Sequence, residues 1–425
     1  MKKNILKTLC LFLVASVFIS VIATILVKRH AKPVVIELGM FAGSNWNVSN
    51  GDSYHTVDRA IAIFESEHPG VKVHYYSGIR KSDYDEWLSE QILSGKTPDV
   101  FLIPDNRFTM LVKNGILKNL TPVIEKDGII KRWEYFDSSW NAGEFQGKQY
   151  ALPYQTDCML MAVNVTLLKE HGLDMPKRDW TWNDFYNLSK KVGMYGYTWQ
   201  DAVYSNGVQL FDEDGTKVFL SDSRTVEAVR FMQRINEHSG DRRFTADDFD
   251  AGKVGFMPMS YAQFCTYVSY PYKVYKDFSY EWGCLPMPSG ISGGNVSEVS
   301  SLMLGINSRT RKLKLSYELL KTFVHNISVQ SDVYVMGQGA SPLRIVSASK
   351  SLQNSLDSYM DSGREYSLGL SADILDHGIA MPKFSLYAQA MAAADTEISR
   401  IIEERQNADT ALRILQQNVQ SLLSR

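Results

Sequence analysis

Between Val34 and Gly115 the sequence alternates between two periodicities, and this alternation limits what the chain can fold into. "VVIELGMF" (Val34–Phe41) is a short apolar run with β-branched residues and reads as a strand. "HTVDRAIAIFESEHP" (His55–Pro69) has helical spacing and stops at Pro69-Gly70. "VKVHYYSG" (Val71–Gly78) alternates like a strand, and "DYDEWLSEQILSGK" (Asp83–Lys96) is amphipathic. "PDVFLIP" (Pro98–Pro104) reads as a buried strand, followed by a short helix in "RFTMLVKNGIL" that stops near Gly115. Such repeated alternation predicts an α/β fold with a mostly parallel sheet and helices on its faces.

The later segments are less regular. "WTWNDFYNLSKKV" starts a helix with Thr181 as N-cap, and "KVGFMPMS" and "SSLMLGINS" (Ser300–Ser308) read as strands. "SLYAQAMAAADTEISRIIEERQ" and "ADTALRILQQNVQSLLS" read as long helices. A chain of 425 residues exceeds what one compact core usually holds, so two domains are expected. No low-complexity linker separates them, which implies that the chain crosses between domains more than once.

The N-terminus stands apart. "MKKNILK" is basic, and no charge then appears until Lys28. Thr8–Val27 is long enough to span a bilayer and lacks an A-x-A cleavage site. Residues 1–31 therefore read as a cytoplasmic stub and uncleaved signal anchor, with the rest extracytoplasmic and the protein held at the cell membrane. A cleaved signal peptide is the alternative. Cys10 lies too early for a lipoprotein cysteine. Cys158, Cys265 and Cys284 cannot all pair; single buried thiols are expected, although a Cys265–Cys284 bridge is possible in principle.

Charged residues make up 22% of the chain and the net charge is −2, which gives no global attraction to nucleic acid. No H-E-x-x-H, Walker A or G-x-G-x-x-G motif occurs, and the eight histidines show no ligand spacing, so neither a metal nor a cofactor is expected. "GISGG" (Gly290–Gly294) formally matches a nucleophile elbow, but "CLPMPS" before it and "NVSEVSS" after it make it a loop. "DDFD" (Asp247–Asp250) reads as the solvated start of a helix. The 22 Tyr, 19 Phe and 8 Trp hint at a binding surface beyond what the core needs.

"GKQYALPYQTD" (Gly147–Asp157) sets aromatic and polar groups at the entrance to the apolar run "CMLMAVNVTLL". With three other pieces it carries a resemblance: "GKTPDVFLIPDNRF" (Gly95–Phe108), "KVGFMPMSY" before "WGCLPMPSG", and "SSLMLGINS" before a helix. In this order they resemble family 1 extracellular solute-binding proteins of sugar ABC transporters, the maltodextrin-binding type, from about Val34 to the C-terminus. The resemblance implies two α/β lobes with a periplasmic-binding-protein-like fold, a ligand cleft between them, and hinge crossings near Gln155–Met159, Val296–Ser301 and Pro342. Residues 32–155 plus 300–342 would form lobe 1, and 156–299 plus 343–425 lobe 2. Typical members carry a lipoprotein cysteine; this chain does not.

Within that frame Tyr154 can stack on a sugar and an ionised Asp157 can accept from two hydroxyls. The alternative for this pair is a backbone cap for Asp157 and hinge packing for Tyr154. Asp105, Asn106 and Arg107 end a strand, and Asn106 and Arg107 align with a polar pair that binds sugar in the family. Ser44, Trp46 and Asn47 would sit on the rim. Tyr197, Trp199, Tyr261, Trp282, Gly294, Arg344 and Tyr387 complete the candidate set, with core packing as the competing role for the aromatics. The expected activity is non-enzymatic: a monomeric carbohydrate-binding protein that closes its lobes on an oligosaccharide and delivers it to an ABC transporter permease. A membrane-tethered sensing subunit and a glycosidase are the rival readings.

Overall fold

The computed structural model describes residues 33–46, 48, 54–104, 106–239, 243–268, 280–336, 339–359 and 368–424. The expected anchor with Cys10, and the candidates Asn47 and Asp105, lie outside the described residues. Among the described residues no helix is long and apolar enough to cross a membrane.

Strands β1 (Val34–Gly39), β2 (Val71–Tyr75) and β3 (Val100–Ile103) form the parallel part of the sheet, in the order β2-β1-β3. Helices His55–Glu67 and Lys81–Leu93 connect them. Val57, Ala60 and Phe64 on the first of these face the core, at the three- and four-residue spacing that puts them on one side. Strands β4 (Glu144–Phe145) and β5 (Lys148–Gln149) pair as a small hairpin, and β6 (Ala151–Asn164) follows. Further along come β7 (Phe256–Ser260), β8 (Trp282–Leu285), β9 (Glu298–Ile306) and β10 (Ile379–Ala380).

The parallel expectation holds only for β1 to β3 and for β10 beside β9; the other pairings are antiparallel. The reason is β6. Its first half, Ala151–Cys158, pairs with β9, which lies next to β3. Its second half, from Met159, pairs with β7 and β8. One strand thus leaves the first lobe while β9 returns to it, so the two run in opposite directions.

Successive residues of a strand point to opposite faces, and β6 divides them between two cores. Leu160 and Ala162 join the first core, Met161 and Val163 the second. The second core is rich in aromatics: the Trp182 indole stacks parallel on Phe231 with ring centroids 4.5 Å apart. Thr181 caps its helix as expected, accepting from the Asp184 N–H. Helices Tyr387–Glu403 and Ala408–Leu423 close this core.

Val346, Leu370, Ile374 and Leu375 pack in the first core, and Phe384 packs in the second. Helix Leu368–His377 packs on helix Asp137–Asn141. Cys158, Cys265 and Cys284 are free, buried thiols, as the sequence suggested.

Candidate ligand-binding cleft

Strands β1, β2 and β3 end together on one edge of the first lobe, where open α/β sheets commonly meet ligand. The loops beyond them are tied to one another. Ala42 N–H donates to the Ile79 carbonyl at 2.7 Å, joining the loops after β1 and β2. Lys81 Nζ donates to the Asn45 carbonyl. After β3, Arg107 Nε lies 2.9 Å from both Asp85 carboxylate oxygens, and Arg107 Nη2 lies 2.8 Å from Asp85 Oδ2. Asn106 is exposed and Arg107 half-buried. Ser44 Oγ accepts from the Trp46 N–H at 3.0 Å, which shapes the turn carrying both.

This rim meets the crossing strand. Thr156 and Ala340 exchange backbone hydrogen bonds of 2.8 and 2.6 Å. Beside them Gly339 has φ +107°, and a Cβ there would lie 2.6 Å from the Thr156 carbonyl oxygen and 2.7 Å from Trp46 Nε1. Trp46, Gly339 and Thr156 are therefore in close contact, and only glycine fits between the other two. One residue on, Asp157 is buried. Its Oδ1 accepts from the Cys158 N–H at 3.0 Å and from the Ala262 N–H at 3.1 Å, in the first turn of helix Tyr261–Val268. Burial pushes its carboxyl up to about 7, although the Ser260 side chain and the Ala262, Cys158 and Tyr261 N–H groups favour the charged form.

Trp46 thus lies against the crossing strand near Asp157, Ser44 shapes its turn, and Asn106 and Arg107 lie past the end of β3, while the other candidates lie elsewhere. Tyr154 is 3% exposed and packs edge-on against Phe323 in the first core. Tyr197 and Trp199 lie in the second core, with Tyr197 Oη accepting from Trp182 Nε1 and Trp199 Nε1 donating to Asp395. Tyr261 and Trp282 are buried in the first core. Gly294 is half-buried, and a Cβ there would meet only Val296. Arg344 donates to the Tyr135 carbonyl, pairs with Asp376 and lies over the Phe136 ring. Tyr387 sits edge-on to Phe211 and Phe384.

A cavity of about 530 Å³ lies at the same lobe boundary. Thr109, Asp137 and Glu144 line it from the first lobe, Gln209 and Glu213 from the second, and Lys383 from the crossing chain. None of the candidates among the described residues lines it. Asp85, Lys81 and Gly339 also escaped the sequence reading. Asp85 and Lys81 belong to a helix read for its amphipathic pattern, and Gly339 carried no local sign of what it would meet.

The chain belongs to the bacterial extracellular solute-binding protein family, whose model matches residues 49–325. The fold is two-lobed like that of several solved structures. The cyclic alpha-maltosyl-1,6-maltose binding protein from Arthrobacter globiformis is 16% identical, with a TM-score of 0.75 over 92% of this chain and 99% of that one. The sugar-binding protein MalE from Xanthomonas citri is 17% identical, with a TM-score of 0.74 over 92% of this chain and 98% of that one. An ABC substrate-binding protein from Listeria monocytogenes, in complex with cycloalternan, is 17% identical, with a TM-score of 0.67 over 92% and 99%.

Proposed function

We propose that this protein binds an oligosaccharide outside the cytoplasm and delivers it to an ABC transporter permease, without catalysing a reaction on it. The observation that carries this reading is the tied rim at the ends of β1, β2 and β3, set against the crossing strand at Trp46, Gly339 and Thr156. A rim held by cross-links on one lobe, facing a second lobe over a strand that both share, suits capture by closure. Sugar-binding names among proteins of the same fold support the ligand class. Asn106 and Arg107 supply donors for hydroxyls, Trp46 an apolar face, and Asp157 an acceptor at the floor. Residues 1–31 anchor the chain to the membrane, and the binding unit acts as a monomer.

A thermal-shift screen of the full chain against mono- and oligosaccharides tests this. A ligand that binds only the folded state raises the melting temperature by mass action. A shift with one glycan class that is lost in Arg107→Ala supports the reading. No shift with any glycan, together with a shift for a peptide or polyamine, overturns it.

A further inference from the structure

We infer that Asp85 is a positioning residue that sets the Arg107 guanidinium for ligand; this rests on the carbohydrate-binding reading and deepens it. Arg107 lies in the loop after β3, which ends at Ile103, and forms the N-cap of helix Phe108–Lys113. Among the described residues it is Asp85, on the neighbouring helix Lys81–Leu93, that fixes the plane of the guanidinium. Nε lies 2.9 Å from each carboxylate oxygen and Nη2 lies 2.8 Å from Oδ2. Contacts from two of the three nitrogens to one carboxylate lock the group in its plane, which a lysine in place of Arg107 could not reproduce.

The lock also decides which donors remain. Asp85 engages Nε and Nη2 and leaves Nη1 as the nitrogen it does not hold. Nη1 carries two N–H groups in a fixed fork, a match for adjacent hydroxyls of a sugar ring. Asn106, exposed next to it, adds an amide on the same rim. Asp85 itself takes no part in binding. It is anchored one turn into a helix whose first residue, Lys81, is tied to the loop after β1 through the Asn45 carbonyl. The loops after β1 and β3 thus hold their register through this one helix.

Both side chains are about one-third exposed, 38% for Arg107 and 34% for Asp85, so the pair adds little to stability. Its effect belongs to binding. A free arginine must be ordered when ligand arrives, so removing Asp85 should weaken affinity about three- to tenfold through the lost preorganisation. The pair is therefore separable from the fold by measuring affinity and melting temperature together.

The test is calorimetric titration of the full chain with maltotetraose, cellotetraose, xylotetraose and chitotetraose, for wild type, Asp85→Ala, Asp85→Glu, Arg107→Ala and the double variant Asp85→Ala/Arg107→Ala. The expected result is weaker binding in Asp85→Ala at an unchanged melting temperature, partial recovery in Asp85→Glu, and no further loss when Asp85→Ala is added to Arg107→Ala. Wild-type affinity in Asp85→Ala, or an equal loss with and without Arg107, overturns the inference while leaving carbohydrate binding intact. A wild type that binds none of the four sugars overturns the carbohydrate reading, and the inference with it.

Discussion

Asp157 on β6 accepts a hydrogen bond of 3.1 Å from the N–H of Ala262, 105 residues later, in the first turn of helix Tyr261–Val268. The same oxygen accepts from the Cys158 N–H at 3.0 Å. A carboxylate at a helix N-terminus satisfies N–H groups that have no partner inside the helix and complements the positive end of its dipole. The contact fastens that helix to the strand shared by both lobes.

Burial of this carboxyl makes stability depend on pH. An unfolded aspartate loses its proton at about pH 4. Folded, Asp157 is held up to about 7 by burial. Between these values the folded state binds more protons than the unfolded one, so this group's contribution to stability falls as pH rises from about 4 to about 7 and is level above that. Glu298, held up to about 7 by burial and by the nearby Asp201 charge, acts in the same direction. Asp157→Asn keeps an acceptor for Ala262 and removes the titration. Melting temperatures measured from pH 4.5 to 8 should fall less steeply in the variant; identical slopes would refute the assignment.

Gly339→Ala should be among the most damaging glycine substitutions. The new methyl would meet the Thr156 carbonyl oxygen at 2.6 Å and Trp46 Nε1 at 2.7 Å, on a backbone with φ +107°. Gly43 also has positive φ, +91°, but a Cβ there meets nothing within 4 Å. Gly43→Ala should therefore show backbone strain alone, about 1 kcal/mol, and Gly339→Ala about 2–4 kcal/mol from strain plus clash. Denaturant titration of both variants separates the two; equal losses would show that the close approach at Gly339 relaxes freely.

Gln330 ties the crossing strand to the first lobe. Its side chain is fully buried; Nε2 donates to the Tyr154 carbonyl at 3.0 Å and to the Phe323 carbonyl at 2.7 Å, and Oε1 accepts from Ser341 Oγ at 2.7 Å. Gln330→Ala leaves two carbonyls and a hydroxyl without these partners, at about 2–4 kcal/mol. A loss below 0.5 kcal/mol on denaturant titration would mean that water takes the amide's place.

Cys158, Cys265 and Cys284 should be silent to thiol reagents in the native chain and react after unfolding. All three are free and buried, and burial pushes the Cys265 thiol up to about 12, far from the reactive thiolate. Rapid labelling of any of the three in the native chain at pH 7.5, measured by mass spectrometry, would contradict this packing.

How much of this was legible in the sequence differs by element. Strands β1 to β3, their helices, the Thr181 cap and the loop at "GISGG" followed from local periodicity and turn chemistry, because backbone geometry and one-sided burial act within a few residues. The passage of β6 between lobes was expected near Gln155–Met159, and its pairing changes partner at Met159. Side-chain destinations were less legible. Tyr154, Tyr197, Trp199, Tyr261 and Trp282 are all residue types that suit a sugar face equally well, and all five are buried in the cores. An aromatic ring carries the same chemistry in either place, so its type does not say which.

The sequence by itself determined the α/β alternation and the family, since each is written in short-range pattern or in the order of motifs. Only the tertiary structure decided that Asp85 grips Arg107, that Gly339 sits between Thr156 and Trp46, and that Asp157 reaches Ala262. These contacts join residues that are far apart along the chain or on separate elements. They depend on how strands, loops and helices pack against each other, and no local propensity encodes that.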